Sequence, residues 1–406
     1  MALNVHSIKA EDQALKNLEL APSFARNDAF SFWKLPEQWR STLEEAARES
    51  QAGAERLLFE LYLRDKERRP PSALDAYYRV KRLIPAVLRH RINSMAIRAR
   101  RRQEFPSWPC ESALLELWRE WLKRALDAMG EKDGWHIGFW PGGAKCCVVL
   151  THDVESPIGL DRMERMADVE QKYGFLSAWN LPLAQYPIDW PRVERLRARG
   201  FELGAHGLSH DGKLFRSDHD FAELPPVLEE LAHEHSLKGF RAPSTLRRAE
   251  WIANMAFDFD SSFSDTDPYE PQPGGTCSLF PFHLGSMIEL PYTLPQDHTM
   301  IHILRRDPLQ LWTVKAYWIA SLGGMILTLT HPDYTGMGHY LGEYEEFLKR
   351  LRTLEGAWCA LPSEVAAWWR RRSRMTLVVE DGQPRIVGTD VRGGVAMRLR
   401  DEPLVM

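Results

Sequence analysis

Two stretches concentrate side chains that bind metals and move protons: LTHDVES at 150–156 and GAHGLSHDG at 204–212. His206 and His210 stand four residues apart, and on a helical turn that spacing points both rings the same way. Two imidazoles and one carboxylate hold a divalent metal while leaving a position open for water. A metal so held lowers the pKa of that water and polarises a carbonyl. In an extended segment Asp153 and Glu155 project to the same side. One of them can then serve as a ligand while the other takes a proton, since a general base must be near the water but need not touch the metal. With 14 histidines in the chain, a pair at this spacing also arises by chance and serves local packing. The metal reading therefore requires elements that bring distant side chains to one place.

The segment from 145 onward supplies such elements. Short apolar, β-branched or aromatic runs recur: CCVVLT (146–151), FLSAWN (175–180), FELGAH (201–206), GFRAP (239–243), FDFDSS (257–262), MIELPY (287–292), MILTLTH (325–331) and AWCALP (357–362). Helical patterns at 160–173, 190–199, 221–236, 246–254, 308–321, 342–355 and 363–372 separate many of them. Alternating strand and helix predicts a mainly parallel sheet covered on both faces, here a (β/α) barrel with an incomplete set of units. Asp153, Glu155, His206, His210, Arg241, Asp260, Asp265, Glu289 and His331 all fall at the C-terminal ends of the runs. In a barrel of parallel strands those ends share one rim, where active sites lie.

Outside that segment, residues 1–138 read as a mostly helical region. Apolar spacing predicts a helix over 41–64 and another over 111–129. The strongly basic 79–102 segment, with apolar residues on one face, suggests peripheral contact with an anionic membrane, against the plainer reading of a solvated helix face. Residues 139–374 form the barrel, and 375–406 read as a small β addition. The expected fold is thus α/β, a deformed (β/α) barrel of mainly parallel strands with a helical N-terminal region.

Composition narrows the class of partner. The 406 residues are 44% hydrophobic and 27% charged, with a net charge of −4, which predicts a globular protein without a nucleic-acid partner. The 15 tryptophans are assigned to the core. Five cysteines without C-x-x-C spacing predict free thiols in a reducing compartment. No basic-then-apolar leader and no membrane-length apolar run is visible, so the expected location is the cytoplasm.

The ordered motifs resemble the polysaccharide deacetylases of the NodB-homology type, carbohydrate esterase family 4. The resemblance spans about 145–370 and rests on LTHDVE, HGLSH, GFRAPS, FDFDSSFSDTDP and LTLTHP in that order. It implies a deformed (β/α) barrel and a divalent metal, commonly zinc. By position it makes Asp153 the catalytic base, His206 and His210 metal ligands, and Arg241 the partner that keeps the base ionised. It makes His331 the general acid, oriented by an acid of the 260–265 stretch, preferentially Asp265 and otherwise Asp260. The chain departs from the family in having Val154 where a second consecutive aspartate binds metal, so that Glu155 takes over as ligand. Gly207 replaces a serine or threonine, and Ser244 stands where an aromatic is usual.

Polar loops on the same rim add Asp211, Gln296 and His298, with Pro243, as candidate substrate contacts. Residues 264–275, rich in Pro and Gly, suggest a lid. The expected activity is metal-dependent N-deacetylation of an N-acetylated glycan, a nucleotide sugar or a lipid-linked oligosaccharide. Hydrolysis of another C–N amide or an O-acetyl ester, and a catalytically decayed glycan-binding protein, are the rival readings.

Overall fold

A computed structural model describes residues 27–63, 67 and 105–402; the basic 79–102 segment lies outside them. Strand β1 (Trp135–Ile137) precedes a run of parallel strands: β2 (Cys146–Asp153), β3 (Ser177–Leu181), β4 (Glu202–Ala205), β5 (Gly239–Phe240) and β6 (Phe259–Asp260). An antiparallel hairpin follows, β7 (Phe282–Leu284) and β8 (Met287–Glu289), then β9 (Met325–Leu327) and β10 (Ala357–Cys359). Every residue of β2 is buried, as expected of a strand covered on both faces.

The sheet runs β10-β2-β3-β4-β5-β6-β8-β7, and β9 also pairs with β2. β2 is the hub. Cys146–Val148 take β10, Cys147–Val149 take β9, and Leu150–Asp153 take β3. The seam between β8 and β9 is closed just past the end of β8, where the Thr293 and Leu294 amides donate to Leu327 O (3.1 and 3.2 Å). The Thr293 hydroxyl donates to Met325 O (2.8 Å) and accepts from the Leu327 amide (2.9 Å). A deformed barrel results. Helices Pro157–Lys172, Trp190–Ala198, Asp218–Glu234, Leu309–Ser321, Gly338–Leu351 and Pro362–Ser373 surround it.

The helix expected over 41–64 is two helices, Arg40–Ala47 and Gln51–Leu58. The break falls at Ser50, whose hydroxyl accepts a hydrogen bond from Trp121 Nε1 (2.6 Å) and so ties the turn to helix Ala113–Met129. The tryptophans serve mainly as core: Trp33, Trp121, Trp140, Trp179 and Trp312 are fully buried, and Trp368 and Trp369 are buried as well. All five cysteines are free. Among the described residues, no helix is long and apolar enough to cross a membrane.

Beyond the barrel, β11 (Thr376–Glu380) and β12 (Gln383–Val387) form a hairpin, and β13 (Ala396–Arg398) returns to pair with β1. The N-terminal helices are tied to the barrel by buried charge. Arg247, wholly buried, donates from Nε and Nη2 to Glu60 (2.8 and 2.5 Å). Removing one member of a buried ion pair strands the other charge at a cost of about 3–5 kcal/mol. Glu60→Ala is therefore expected to lower the unfolding free energy by about that amount, read from the urea midpoint at unchanged m.

Candidate active site

Asp153 ends β2 with its side chain turned into the barrel mouth. Its Oδ1 accepts from Asn180 Nδ2 (2.8 Å) and Arg241 Nη1 (3.2 Å). Asn180 fits because Gly204 on the neighbouring strand leaves its place open; a Cβ there would collide with the amide oxygen. Arg241, with no exposed surface, also donates to Ser261 O and Ser261 Oγ (both 2.7 Å) and to Thr151 Oγ1 (2.8 Å). Burial alone would raise the Asp153 pKa. In the acid range where the carboxyl would titrate, the His206 ring, protonated there, with the Arg241 charge and the Asn180 bond outweighs it and holds the carboxyl below its usual range. Asp153 is then charged at neutral pH, and its Oδ2 remains for the site.

Strand alternation sorts the neighbours. His152 points the other way, stacked on Trp179 and held between Thr330 Oγ1 and Glu170 Oε1 (2.7 Å each), a buried structural histidine. Val154, wholly buried, belongs to that outer set. Glu155 returns to the mouth, where its Oε1 lies 2.8 Å from His210 Nε2 and 3.6 Å from His331 Nε2.

His206 directly follows β4. His210 comes from the loop beyond it, not from a helical turn as expected. The left-handed Gly207 (φ 68°) breaks any helix there, and a Cβ at Gly207 would press on Pro243 at 2.7 Å. Gly207 and Pro243 thus fit each other and shape the turn between the two histidines. Gln185 clasps both loops, donating to Glu155 O (2.6 Å) and accepting from the His210 amide; nothing in its sequence context marked it. The Ser244 amide points at His210 Nε2 (3.2 Å).

Donor atoms of Glu155, His206 and His210 lie within 4.8 Å of one another. His206 Nδ1 is 3.0 Å from Arg241 O, so Nδ1 carries the proton and Nε2 presents a lone pair. That Nε2 is buried with no hydrogen-bond partner. Burial, the largest influence, lowers the His206 pKa and keeps the ring neutral. An orphaned imidazole lone pair beside a second imidazole and a carboxylate is the donor set that a zinc-like divalent cation takes. These residues fit such an ion.

His331 sits beside Glu155 and close enough to Asp153 to sense its charge. Its Nδ1 is 2.6 Å from Asp297 Oδ1, and its backbone amide donates to Asp297 Oδ2 (2.8 Å). Thr335 Oγ1 also donates to Asp297 Oδ2 (2.7 Å). The acid that orients His331 is therefore Asp297, not Asp265 or Asp260. Asp265 is ion-paired with Lys315 Nζ (2.7 Å). Asp260 lies deeper, accepting from Ser262 Oγ (2.6 Å) and crowded against Glu289, and burial raises the pKa of both acids. The misplacement arises because Asp297 comes from the loop after β8, where the family pattern gives no cue. Burial pulls the His331 pKa down, but the Asp297 carboxylate and then Glu155 overcome it and lift the group to about 10.

Of the remaining expected contacts, Asp211 is ion-paired with Lys213 Nζ (2.9 Å). Gln296 and His298 flank Asp297, and His298 lies close enough to His331 and Glu155 to sense both charges. Burial and then the His331 charge push His298 down to about 3, so it is neutral.

No family model and no curated protein sequence matches the chain. Solved structures do resemble its barrel. One assigned as a polysaccharide deacetylase from Mycobacterium smegmatis is 18% identical, over 57% of this chain and 93% of its own, at a TM-score of 0.48. A protein from Pseudomonas aeruginosa PAO1, assigned likewise, is 14% identical over 57% and 93% at 0.44. The Puue allantoinase is 12% identical over 57% and 92% at 0.45. Likenesses this distant carry no argument about chemistry, which rests on the side chains themselves.

The donor set makes a direct prediction. Purified protein loaded with Zn²⁺ and desalted should retain about one ion per chain, as a site of two imidazoles and a carboxylate requires. His206→Ala should lose it, by elemental analysis.

Proposed function

We propose that this protein is a metal-dependent hydrolase that removes an N-acyl group, foremost acetyl, from a sugar of a polysaccharide or of its biosynthetic precursor. The observation that carries this reading is the placement of Asp153, held by Arg241 and Asn180, and of His331, held by Asp297, beside the Glu155, His206 and His210 cluster. A binding protein has no use for a base and an acid held in opposite charge states.

A divalent ion on the three donors would lower the pKa of a water and polarise the acyl carbonyl. Asp153 takes the proton as the water oxygen bonds to the acyl carbon, and Arg241 and Asn180 keep its carboxylate ionised and aimed. His331 Nε2 then gives its proton to the nitrogen as the C–N bond breaks, releasing a sugar amine and a carboxylic acid. An amine is a poor leaving group unless protonated, so an acid whose pKa is raised suits an amide. With a cation on Glu155, that residue's share in lifting His331 is neutralised, and the share from Asp297 persists.

The test is acetate release from N-acetylated sugar oligomers, compared with O-acetylated glycans and small cyclic amides. Asp153→Asn should lower kcat by at least about a hundredfold; unaltered turnover would remove Asp153 from its role. Asp297→Asn withdraws the charge that outweighs burial at His331. The acid is active only while protonated, so activity should be lost at lower pH. The alkaline limb of kcat should move toward acid by about one pH unit or more.

A further inference from the structure

Glu155, the carboxylate of the donor set, lies beyond the ladder that fixes β2. The pairing of β2 with β3 ends at Asp153 opposite Asn180, and a main-chain bond from Val154 N to Asn180 O (3.0 Å) closes it. The next donor of a parallel ladder would be residue 182, which is proline and has no N–H. From there side chains hold the main chain instead. Tyr186 OH donates to Val154 O (2.6 Å), Gln185 Nε2 donates to Glu155 O (2.6 Å), and the Ser156 hydroxyl donates to Asp333 Oδ1. A glutamate has much rotamer freedom to lose on being fixed, so a backbone held in place matters more for it than for a shorter acid.

The same loop after β3 also holds the histidine turn. The Leu183 amide donates to Gly207 O (3.0 Å), the Ala184 amide donates to Leu208 O (2.7 Å), and Gln185 Oε1 accepts from the His210 amide. One exposed carboxamide therefore touches the main chain of two candidate ligands. Its orientation is fixed by chemistry. Glu155 O can only accept and the His210 N–H can only donate, so Nε2 faces the first and Oε1 the second. A glutamate there could still accept from His210 but could not donate to Glu155 O, and a methionine could make neither normal hydrogen bond. The two ligands so bridged are the pair whose donors meet, with Glu155 Oε1 2.8 Å from His210 Nε2.

We propose that Gln185 is a positioning residue of the metal site: by bridging Glu155 and His210 it holds their donor atoms together in advance of any ion. Tyr186 supports it by supplying the donor that Pro182 lacks. This role rests on the reading of Glu155, His206 and His210 as ligands, and it requires no contact with substrate. Groups that orient the ligands of a metal govern its affinity by about tenfold to a hundredfold.

The test is the Zn²⁺ affinity of the full chain stripped of metal, measured by competition with a chromophoric chelator. The visible spectrum of the Co²⁺-loaded protein is the second readout. Gln185→Met keeps the length of the side chain and removes both bonds. It should weaken Zn²⁺ binding by about tenfold or more. It should also alter the Co²⁺ ligand-field bands, which report the arrangement of the ligands and not the stability of the fold. Gln171→Met is the control, since Gln171 is also exposed and makes hydrogen bonds in both directions, to Arg199. It should leave affinity and spectrum unchanged. If the Gln185→Met protein does not fold, Gln185→Glu carries the same comparison. Wild-type protein that takes up no Zn²⁺ removes the ligand reading and this role with it. Zn²⁺ uptake that the Gln185 variant does not weaken removes this role alone. No acetate release from N-acetylated sugars, with the weakened Zn²⁺ binding of the variant observed, removes the hydrolase reading and leaves the positioning role standing.

Discussion

One buried guanidinium organises the mouth of the barrel. Arg241 has no contact with solvent and reaches Thr151 and Asp153 on β2 and Ser261 just after β6, while its own carbonyl fixes the proton on His206. A charge so placed is tolerated only if its donors are satisfied, so four segments must close around it in one arrangement. That arrangement leaves Asp153 ionised with one oxygen to spare and His206 neutral with its lone pair bare. The structural demand of a buried cation and the chemical state of the site are one constraint.

The period of two along β2 then divides labour between neighbours. Thr151, Asp153 and Glu155 go inward, while His152 and Val154 go outward to pack under the helices. The valine that breaks the family's consecutive acid pair is therefore a core residue. A glutamate one step further has the correct side and a longer reach, which brings its carboxylate to His210. Similarly, Gly207 in the histidine turn answers to Pro243, whose ring occupies the space a Cβ would need.

The barrel was largely legible in the sequence because its signals are local. Eight apolar runs, with helical patterns between many of them, mark the strands, and chemistry-bearing residues sit at their ends. What escaped was set by loops. The two histidines converge through a left-handed glycine, where their spacing alone suggests a helical turn. Asp297 reaches His331 from the loop after β8, and Gln185 reaches across two loops; neither has a periodicity to betray it. The antiparallel β7 was also missed, since a three-residue strand gives too short a pattern to read. Residues 264–275 read as a lid by their Pro and Gly content, yet partners distant in sequence, Tyr62 and Arg247, pin them.

The pairing of β13 with β1 bears on how the chain can be divided. The last described strand lies against the first, with Trp135 opposite Arg398. Lys34 donates to Ser373 O (2.6 Å), and Arg372 donates to Phe32 O and Ile137 O (2.9 Å each). The two flanks of the barrel are thus laced to one another as well as to it. Neither flank is an appendage that can be trimmed at a boundary drawn along the sequence. A cut near residue 375 would take β13 away and leave the edge of β1 unpaired on the part that remains.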